Sequence, residues 1–510
     1  MAYSIKSAVM AGIALTLGVL SLPAQANKFS IIVNMPNCLN GCNATSPGLV
    51  AQGFDGGLYT TMPTQVFGQG SVVGFPPSVP ASFNNGVLGA LPLLYALKGN
   101  DGSSPVSGLT LGTDGSFYGA AVNGGPPPAM GALFKVTFPN PAVASSTNQT
   151  ATYTVLYQFK NNGDGAYPNA PPVQGPDGNL YGVTSGGGNV YRISPNGTGF
   201  TVLATLNLPL ATPIIVGEDG NLYGVTSSGG TYGYGSIFQV TLGGQVTALY
   251  SFQGAGDGGR PAGALLWGRD GMLYGTTAMG GAATSQGVIF RQNPHVVNAY
   301  SVVHALSGNE GSGTTGGLVQ GSNGNLYGVA AAGGVNSVGT LFTLDPAGTA
   351  LTVLMPFGGN SGVNPYSTPT LHTNGVIYGS TKTGGALANG AEGLVFSYDA
   401  GLSQFASVVG STRSFPATAT FGVLGQGFSQ ATGVKVGAGA ANFSVVSDTY
   451  MIVYAPGGCV GQVSITEPKG TLVTPQVISV GNASMVKYQV CARRVPPLNP
   501  SLPLNPALPR

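Results

Sequence analysis

Acidic and histidine side chains are the residues of this chain that could carry acid–base chemistry, and they are few. The 510 residues include fifteen Asp or Glu and three His. A hydrolase or lyase usually needs two cooperating carboxylates, or a base with a partner acid. Most of the acids recur at two positions of an internal repeat, where we expect them to hold loops through hydrogen bonds to the backbone. These acids are Asp55, Asp114, Asp177, Asp219 and Asp270 at one position, and Asp101, Asp164, Asp257 and Glu310 at the other.

The histidines offer no better catalytic group. His304 takes a position that is Tyr in other repeats, His372 replaces a Gly before a turn, and His295 follows Pro294. No Gly-x-Ser-x-Gly elbow precedes a helix, so a serine-hydrolase triad is not indicated. Zinc-type Cys-x2-Cys spacing and the His or Cys clusters of copper enzymes are also missing from the sequence. We therefore expect no catalytic residue, no metal site and no cofactor.

The elements around these residues are set by a motif that returns seven times. An Asp-Gly or Asn-Gly pair stands four residues before a Tyr in every copy, usually with a Gly two residues before the pair. Such pairs favour type I′ hairpin turns, in which both central residues have positive φ. The Tyr could stack on sugars, but we expect it to fill space between neighbouring units. The seven tyrosines are Tyr59, Tyr118, Tyr181, Tyr223, Tyr274, Tyr327 and Tyr378.

Two further blocks complete the repeat. A Gly-Gly pair follows the Tyr, and then a Gly-x-aliphatic-aromatic strand, as in Gly280-Gly281 and Gly287 to Phe290. Four short strands in about fifty residues, repeated seven times, predict a seven-bladed β-propeller over residues 27–400, with a solenoid as the second interpretation. Residues 29–33 have no blade of their own, so we expect them to pair with the strand around residue 396 and close the ring.

Composition agrees with an all-β fold. The chain has 85 Gly, 43% hydrophobic residues and only 6% charged residues. This composition is typical of many short strands joined by tight turns and is not typical of a disordered chain.

The N-terminus predicts export. Residues 1–26 combine Lys6, an apolar run and a small-x-small site at Ala24–Ala26, which is typical of a signal peptide cleaved near Ala26. We expect a secreted, extracellular or periplasmic protein without a membrane span, and a monomer. The formal net charge of +2 disfavours nucleic acid as a partner.

Four cysteines suit an oxidising compartment. They allow three pairings, of which we favour the two local ones. The predicted disulfides are Cys38–Cys42 and Cys459–Cys491.

The repeat ends after Asp399. Residues 402–490 keep a strand-like composition, as in Tyr450 to Tyr454, and predict a small immunoglobulin-like β-sandwich. Residues 491–510 form a Pro-rich tail that we expect to be extended.

The repeat resembles the GloVer repeat of exported bacterial proteins of the choice-of-anchor type. The clearest copy runs from Gly268 to Thr277 and continues through Gly280-Gly281 to Phe290. The segment from Val423 to Phe428, with Ala431 to Val436 and Val446 to Tyr450, looks like an IPT/TIG domain. These resemblances imply architecture and export; they imply no catalytic residues.

Binding is expected on the propeller loops, because loops on a rigid scaffold commonly carry function. If the Tyr strand is second from the axis, the Gly-Gly loops share a face with the loops between blades. We therefore predict a non-enzymatic binding or surface-interaction protein whose partner is an extracellular glycan or surface protein. A polysaccharide lyase or hydrolase acting at the propeller mouth is the alternative, and a propeller that only spaces an interacting sandwich is a third. The predicted ligand-binding residues are Asp101, Asp164, Tyr167, Asp257, Arg260 and Glu310.

Overall fold

The structure is a computed structural model, and strands dominate the part of the chain that it describes. The described residues are 28–34, 50–63, 69–75, 93–138, 151–210, 212–281, 285–385, 393–410, 414–415 and 419–481. Within them the only helical elements are short 3₁₀ turns at Gly359–Ser361 and Phe428–Gln430. The predicted signal peptide, Cys38, Cys42, Cys491 and the Pro-rich tail lie outside the described residues, so these expectations stay predictions.

Thirty short strands build the propeller. In chain order they are β1 (Phe29–Asn34), β2 (Ala51–Gln52), β3 (Leu58–Met62), β4 (Ser71–Phe75), β5 (Leu93–Ala96), β6 (Leu109–Leu111), β7 (Phe117–Ala121), β8 (Ala132–Thr137), β9 (Thr152–Gln158), β10 (Val173–Gln174), β11 (Leu180–Val183), β12 (Asn189–Ile193), β13 (Thr201–Thr205), β14 (Ile215–Val216), β15 (Leu222–Thr226), β16 (Ser236–Val240), β17 (Val246–Ser251), β18 (Gly259–Pro261), β19 (Leu266–Trp267), β20 (Leu273–Met279), β21 (Val288–Gln292), β22 (Tyr300–Ala305), β23 (Val319–Gln320), β24 (Leu326–Ala330), β25 (Thr340–Leu344), β26 (Leu351–Pro356), β27 (Val363–Pro365), β28 (Thr370–Leu371), β29 (Val376–Thr383) and β30 (Leu394–Asp399).

These strands form seven antiparallel sheets, one for each predicted blade. Blade 1 has the order β2-β3-β4-β5, and blades 2, 3, 4 and 6 repeat this four-strand meander. The first strands of neighbouring blades contact one another, as β2 does with β6 and β10 with β14, which places them at the axis. The Tyr strand is therefore second from the axis. The prediction of a seven-bladed propeller is confirmed.

The N-terminal strand closes the ring. β1 pairs antiparallel with β30, placing Phe29 opposite Tyr398 and Ile31 opposite Phe396. Blade 7 thus takes its outer strand from the opposite end of the propeller chain, and the edge of β30 is covered. The predicted closure is confirmed.

The Asp-Gly turns are tight, but they are not the predicted type I′ turns. Only the Gly has positive φ, as in Gly56 (76°) and Gly271 (78°), whereas none of the turn Asp or Asn residues does. Gly56 N–H donates to Gly53 C=O, and Gly53 N–H donates to Gly57 C=O. This arrangement matches a turn followed by a left-handed Gly at a bulge, which also suits the twist of a hairpin. The Asp residue keeps an ordinary backbone conformation, and its side chain caps the turn. This accounts for the difference from a type I′ turn.

The recurring Tyr rings pack between blades, as expected. Tyr223 of blade 4 is fully buried and clusters with Leu265 and Leu273 of blade 5. Trp267 also lies in this cluster, against Tyr223 with ring centroids 5.4 Å apart. These rings build the core of the propeller.

The degenerate first repeat still forms a full blade. In blade 5, Gly275 lies opposite Phe290, and a Cβ on Gly275 would come within 2.4 Å of the Phe290 ring. In blade 1, Thr60 lies opposite Val73. The Gly after the Tyr is therefore needed only where the next strand carries an aromatic ring. Blade 1 lacks both this Gly and the opposing aromatic ring, and the blade is nevertheless complete.

The C-terminal region is a single continuous sheet that curls towards a barrel. Its strands are β31 (Ser407–Val408), β32 (Ser414–Phe415), β33 (Ala419–Leu424), β34 (Gly433–Val436), β35 (Gly439–Ser447), β36 (Tyr450–Ala455), β37 (Val460–Glu467) and β38 (Gly470–Val480). The sheet order is β31-β33-β36-β35-β34-β37-β38-β32. The long strand β35 pairs with both β34 and β36, which joins the two halves that a sandwich would keep apart. The predicted immunoglobulin-like sandwich is not confirmed. Cys459 is fully buried in the core of this sheet.

The C-terminal sheet packs on the side of the propeller that carries the Asp-Gly turns, which we call the hairpin face. The Phe54 ring stacks on Tyr450, with centroids 3.7 Å apart. Thr449 Oγ1 donates to Phe54 C=O (2.7 Å), and Thr373 Oγ1 donates to Gly425 C=O (3.1 Å). These contacts reach the turns of blades 1 and 7, so the C-terminal sheet covers this part of the hairpin face.

Candidate functional site

The opposite side of the propeller, which we call the loop face, carries the connections between blades and the Gly-Gly loops. The two kinds of loop bond to each other. Ser103 N–H donates to Asn123 C=O, and Gly125 N–H donates to Gly99 C=O. Ala166 and Gly186 form the equivalent contact one blade later. The prediction that these loops share one face is confirmed.

On the hairpin face, each turn acid holds the recurring Tyr. In blade 5, Tyr274 donates its phenol proton to Asp270 Oδ2 (2.7 Å), while Asp270 Oδ1 accepts from the Met272 N–H (3.1 Å). Burial, and next the bond to Asp270, raises the pKa of Tyr274 to about 12. In blades 6 and 7 the turn residue is Asn, whose amide donates to the Tyr oxygen instead. The turn acids are thus committed to the hairpins.

The loop acids are equally committed. Asp164 is 7% exposed, and its Oδ2 accepts from the Tyr157 phenol (2.9 Å) and from Lys160 N–H (3.0 Å). Tyr95 donates in the same way to Asp101 (2.6 Å). In each pair the Tyr ends the outer strand of one blade, and the acid anchors the loop that leads to the next blade. These carboxylates are structural anchors.

His304 and Glu310 are the fourth version of this pair. The Nε2 atom of His304 lies 3.1 Å from both Glu310 oxygens, and Ser307 N–H donates to Glu310 Oε2 (2.8 Å). Burial tends to raise the pKa of Glu310, but the bonds from Ser307 and His304 outweigh it and lower the pKa. A His–Glu pair therefore replaces a Tyr–Asp pair at the same position in the repeat. Its location argues for anchoring and not for a separate catalytic dyad.

Asp257 is the remaining loop acid, and its hydrogen bonding differs slightly from that of the others. Its Oδ2 accepts from Tyr250 (2.8 Å) and from Gln253 N–H (2.9 Å). Its Oδ1 is buried and has no hydrogen-bond partner among the described residues. The pKa of Tyr250 is raised by burial first, then by Asp257, and also by nearby Tyr232.

A second repeated position on the loop face carries side chains that differ from blade to blade. These residues all have left-handed backbone, and each N–H donates to a carbonyl in the loop between the second and third strands of the preceding blade. For Tyr167 the acceptor is Met130 C=O, and for Arg260 it is Tyr234 C=O, both at 2.8 Å. The position holds Ser104 (φ 55°), Tyr167 (56°), Arg260 (52°), Gly313 (60°) and Asn364 (55°).

Exposed aromatic rings concentrate on this face. Among the described residues the exposed aromatic side chains are Tyr167 at 39%, Tyr232 at 55% and Tyr234 at 40%. Tyr232 and Tyr234 lie in the Gly-Gly loop of blade 4, next to Arg260, which is also exposed. Sequence reasoning missed Tyr232 and Tyr234. The available signal was that this loop carries Tyr where the blade 6 copy has Asn336 and Val338.

The six predicted binding residues do not converge on one point. Asp101 lies between blades 1 and 2, and Glu310 lies between blades 5 and 6. Asp164 and Tyr167 belong to the loop before blade 3, whereas Asp257 lies in the loop before blade 5 and Arg260 in the short strand β18 that follows it. Within the described chain, no three His, Cys, Asp or Glu side chains are placed to hold a metal ion. No described helix has the length and apolar character needed to cross a membrane.

Three solved structures that are similar to this chain share low sequence identity with it. Virginiamycin B lyase from Staphylococcus aureus matches with a TM-score of 0.49 and 14% identity, over 73% of this chain and 99% of the lyase. A fungal alcohol oxidase of the AA5 family, in complex with copper, matches with a TM-score of 0.48 and 13% identity, over 89% of this chain and 98% of the oxidase. TolB from Acinetobacter baumannii matches with a TM-score of 0.36 and 13% identity, over 57% of this chain and 66% of TolB. Similarity at this level says nothing about activity.

No curated protein sequence matches the chain. A family model does match the second part of the propeller, from the Gly-Gly loop of blade 3 to the third strand of blade 7. Residues 185–396 match the Gloeobacter/Verrucomicrobia repeat, which supports the repeat family that the sequence motifs indicated.

Proposed function

We propose that this protein is an exported, non-enzymatic binding protein that holds an extracellular glycan on the loop face of its propeller. One observation carries the proposal: the exposed aromatic rings of the described chain all lie on the face that the C-terminal sheet leaves open. Exposed aromatic surface commonly marks a binding site. Tyr combines a flat apolar ring with a hydroxyl group, which suits the apolar faces and hydroxyl groups of sugars.

The non-enzymatic part of the proposal is supported by the roles of the acids and bases. Asp164 and Glu310 already accept hydrogen bonds from their own loops. Burial, and next the hydrogen-bonded Asp164 carboxylate, raises the pKa of the Tyr157 phenol, so it stays protonated and is a poor general base near neutral pH. The described loop face therefore offers recognition groups but no free acid–base pair.

The direct test is to screen the purified mature protein on a glycan array while new reducing ends are measured in parallel. We expect retention of particular glycans without release of reducing ends. Sustained release of reducing ends from a bound glycan would favour the alternative of a carbohydrate-active enzyme. A blank array, together with capture of a surface protein in its place, would remove the glycan from the proposal.

Export has its own test. The protein should be recovered outside the cytoplasm with Asn27 as its first residue, as read by N-terminal sequencing. Recovery of the uncleaved chain from the cytoplasm alone would contradict this part of the proposal. The matched control is the Leu15→Arg variant, whose charge interrupts the apolar run and should block export.

A further inference from the structure

At the corner between blades 4 and 5 on the loop face, two exposed rings and an exposed guanidinium lie on two loops that contact each other. Arg260 N–H donates to Tyr234 C=O, which ties the two loops (2.8 Å). The Tyr234 ring lies against the backbone of the connecting loop, where a Cβ on Gly254 would come within 2.5 Å of it. Tyr232 stands two residues earlier in the same loop and is exposed. The corner is therefore a small platform held by backbone contacts.

The aromatic rings of this corner are not required by the repeat. In blade 6 the equivalent residues are Asn336 and Val338, and the Asn336 amide donates to Phe357 C=O (2.7 Å) within its own blade. Tyr232 and Tyr234 are instead 55% and 40% exposed. Since the fold is built without aromatic rings at this position elsewhere, their presence here needs another reason.

The Arg260 side chain has no partner among the described residues that occupies its guanidinium. Within the described residues, the Arg260 side chain forms no salt bridge and no hydrogen bond. The nearest acid along its loop, Asp257, uses Oδ2 for Tyr250 and Gln253, and its Oδ1 is buried. At the equivalent junctions Gly313 and Asn364 suit a left-handed backbone, whereas Arg260, like Ser104 and Tyr167, is of a type without this preference. The guanidinium is thus available to an anion.

From these observations we propose that the corner binds a carboxylate-bearing sugar of an acidic glycan, with Tyr232 and Tyr234 as ring platforms and Arg260 as the carboxylate ligand. Arg suits this role because its planar fork can donate two parallel hydrogen bonds to one carboxylate. The inference rests on the proposed glycan function and specifies its ligand class and its place on the loop face.

The test measures binding of an oligogalacturonate and of its carboxyl-reduced, neutral counterpart of the same length. The wild-type protein should bind the acidic form about tenfold or more tightly, because one charge-assisted pair is lost on reduction. Arg260→Asn, which tolerates the left-handed backbone, should abolish this preference and leave weak binding of the neutral form. Tyr232→Ala should weaken both ligands roughly tenfold.

Val335→Ala is the matched control, since Val335 is 74% exposed in the equivalent loop of blade 6. It should leave both affinities unchanged. Equal affinity of the wild type for the two ligands, or an undiminished preference in Arg260→Asn, would overturn the acidic-sugar inference. If glycans on the array still bound, the proposed function would survive that result. If the wild type bound no glycan of any kind, both would fall.

Discussion

At the scale of single residues, the chemistry-bearing side chains serve mainly to connect parts of the repeat. Asp270 caps its turn with one oxygen and accepts the Tyr274 phenol with the other. Asp164 accepts from the Asn162 N–H of its own loop with Oδ1 and from the Tyr157 phenol with Oδ2. A repeated acid with both oxygens used in this way fixes the geometry of its turn or loop. We expect its loss to lower the stability of the fold and not to act directly on binding.

The Tyr–turn pair gives a residue-scale prediction. Tyr274→Phe removes a hydrogen bond to a carboxylate and should lower the free energy of unfolding by about 1.5–3 kcal/mol. Tyr327→Phe is the matched control, because Tyr327 pairs with the neutral Asn323 and should cost only about 1 kcal/mol. Urea unfolding of both variants checks the difference. Equal losses would show that the charge of the turn residue is immaterial.

His372 predicts a pH dependence of stability. It is fully buried, its Nε2 lies 3.0 Å from Gly56 C=O, and its Nδ1 accepts from Asn374 N–H. Both contacts suit neutral imidazole. Burial lowers its pKa below 6.5, although the contacts with Gly56 and Asn374 oppose this shift.

The folded protein binds a proton at His372 less tightly than the unfolded chain does. The contribution of neutral His372 to the free energy of unfolding should therefore be fully present above about pH 6.5 and should be lost as the pH falls towards the folded pKa. The loss is about 1.4 kcal/mol for each unit by which the two pKa values differ. Urea midpoints at about pH 7.5 and pH 5 measure it. His372→Gln cannot titrate and should lose less stability over this interval; an identical pH dependence in the two proteins would contradict the assignment.

At the scale of elements, the sequence of each blade is set by what its neighbouring strand carries. Gly275 makes room for Phe290, whereas Thr60 is accommodated because Val73 is opposite. The Gly before a turn has a similar reason, since a Cβ on Gly268 would come within 2.6 Å of Tyr274. Several of the repeated glycines thus mark close packing of rings on backbone.

This pairing predicts a coupled effect of two substitutions. Gly275→Ala should lower the free energy of unfolding by about 1–3 kcal/mol, because the new Cβ overlaps the Phe290 ring. Adding Phe290→Val should recover part of that loss, as blade 1 shows that a β-branched residue can face a Val. A double-mutant cycle measures the coupling. Additive losses would mean that the overlap is not the cause.

At the scale of the whole molecule, two long-range contacts define the architecture. β1 closes the ring against β30, and the C-terminal sheet packs on the hairpin face through Phe54 and Tyr450. The first contact joins the two ends of the propeller chain. The second leaves the loop face as the open side for binding.

Closure can be tested within one strand. Ile32 is 5% exposed in β1, and Ile32→Asp would bury a charge without a partner, which should cost several kcal/mol and lower the unfolding midpoint of the propeller. Ser30→Asp places the same charge at an exposed position of the same strand and should have little effect. If the two variants were equally stable, β1 would not contribute to closure.

The sequence by itself determined the repeat architecture of this protein. Seven spaced copies of the Tyr motif, and the unassigned strand at 29–33, were sufficient for the blade number, the closure and the burial of Tyr223, because these features follow from local periodicity. Tertiary structure decided the rest. The docking of Tyr450 on Phe54 and the corner at Tyr234 and Arg260 depend on which loops meet in space. The bond from Tyr274 to Asp270 and the left-handed Gly that replaced the expected type I′ turn depend on the backbone geometry within a single hairpin. Spacing along the chain cannot specify the contacts between loops, because the residues that meet are distant in the sequence. It cannot specify the turn geometry either, because more than one turn type fits the same spacing.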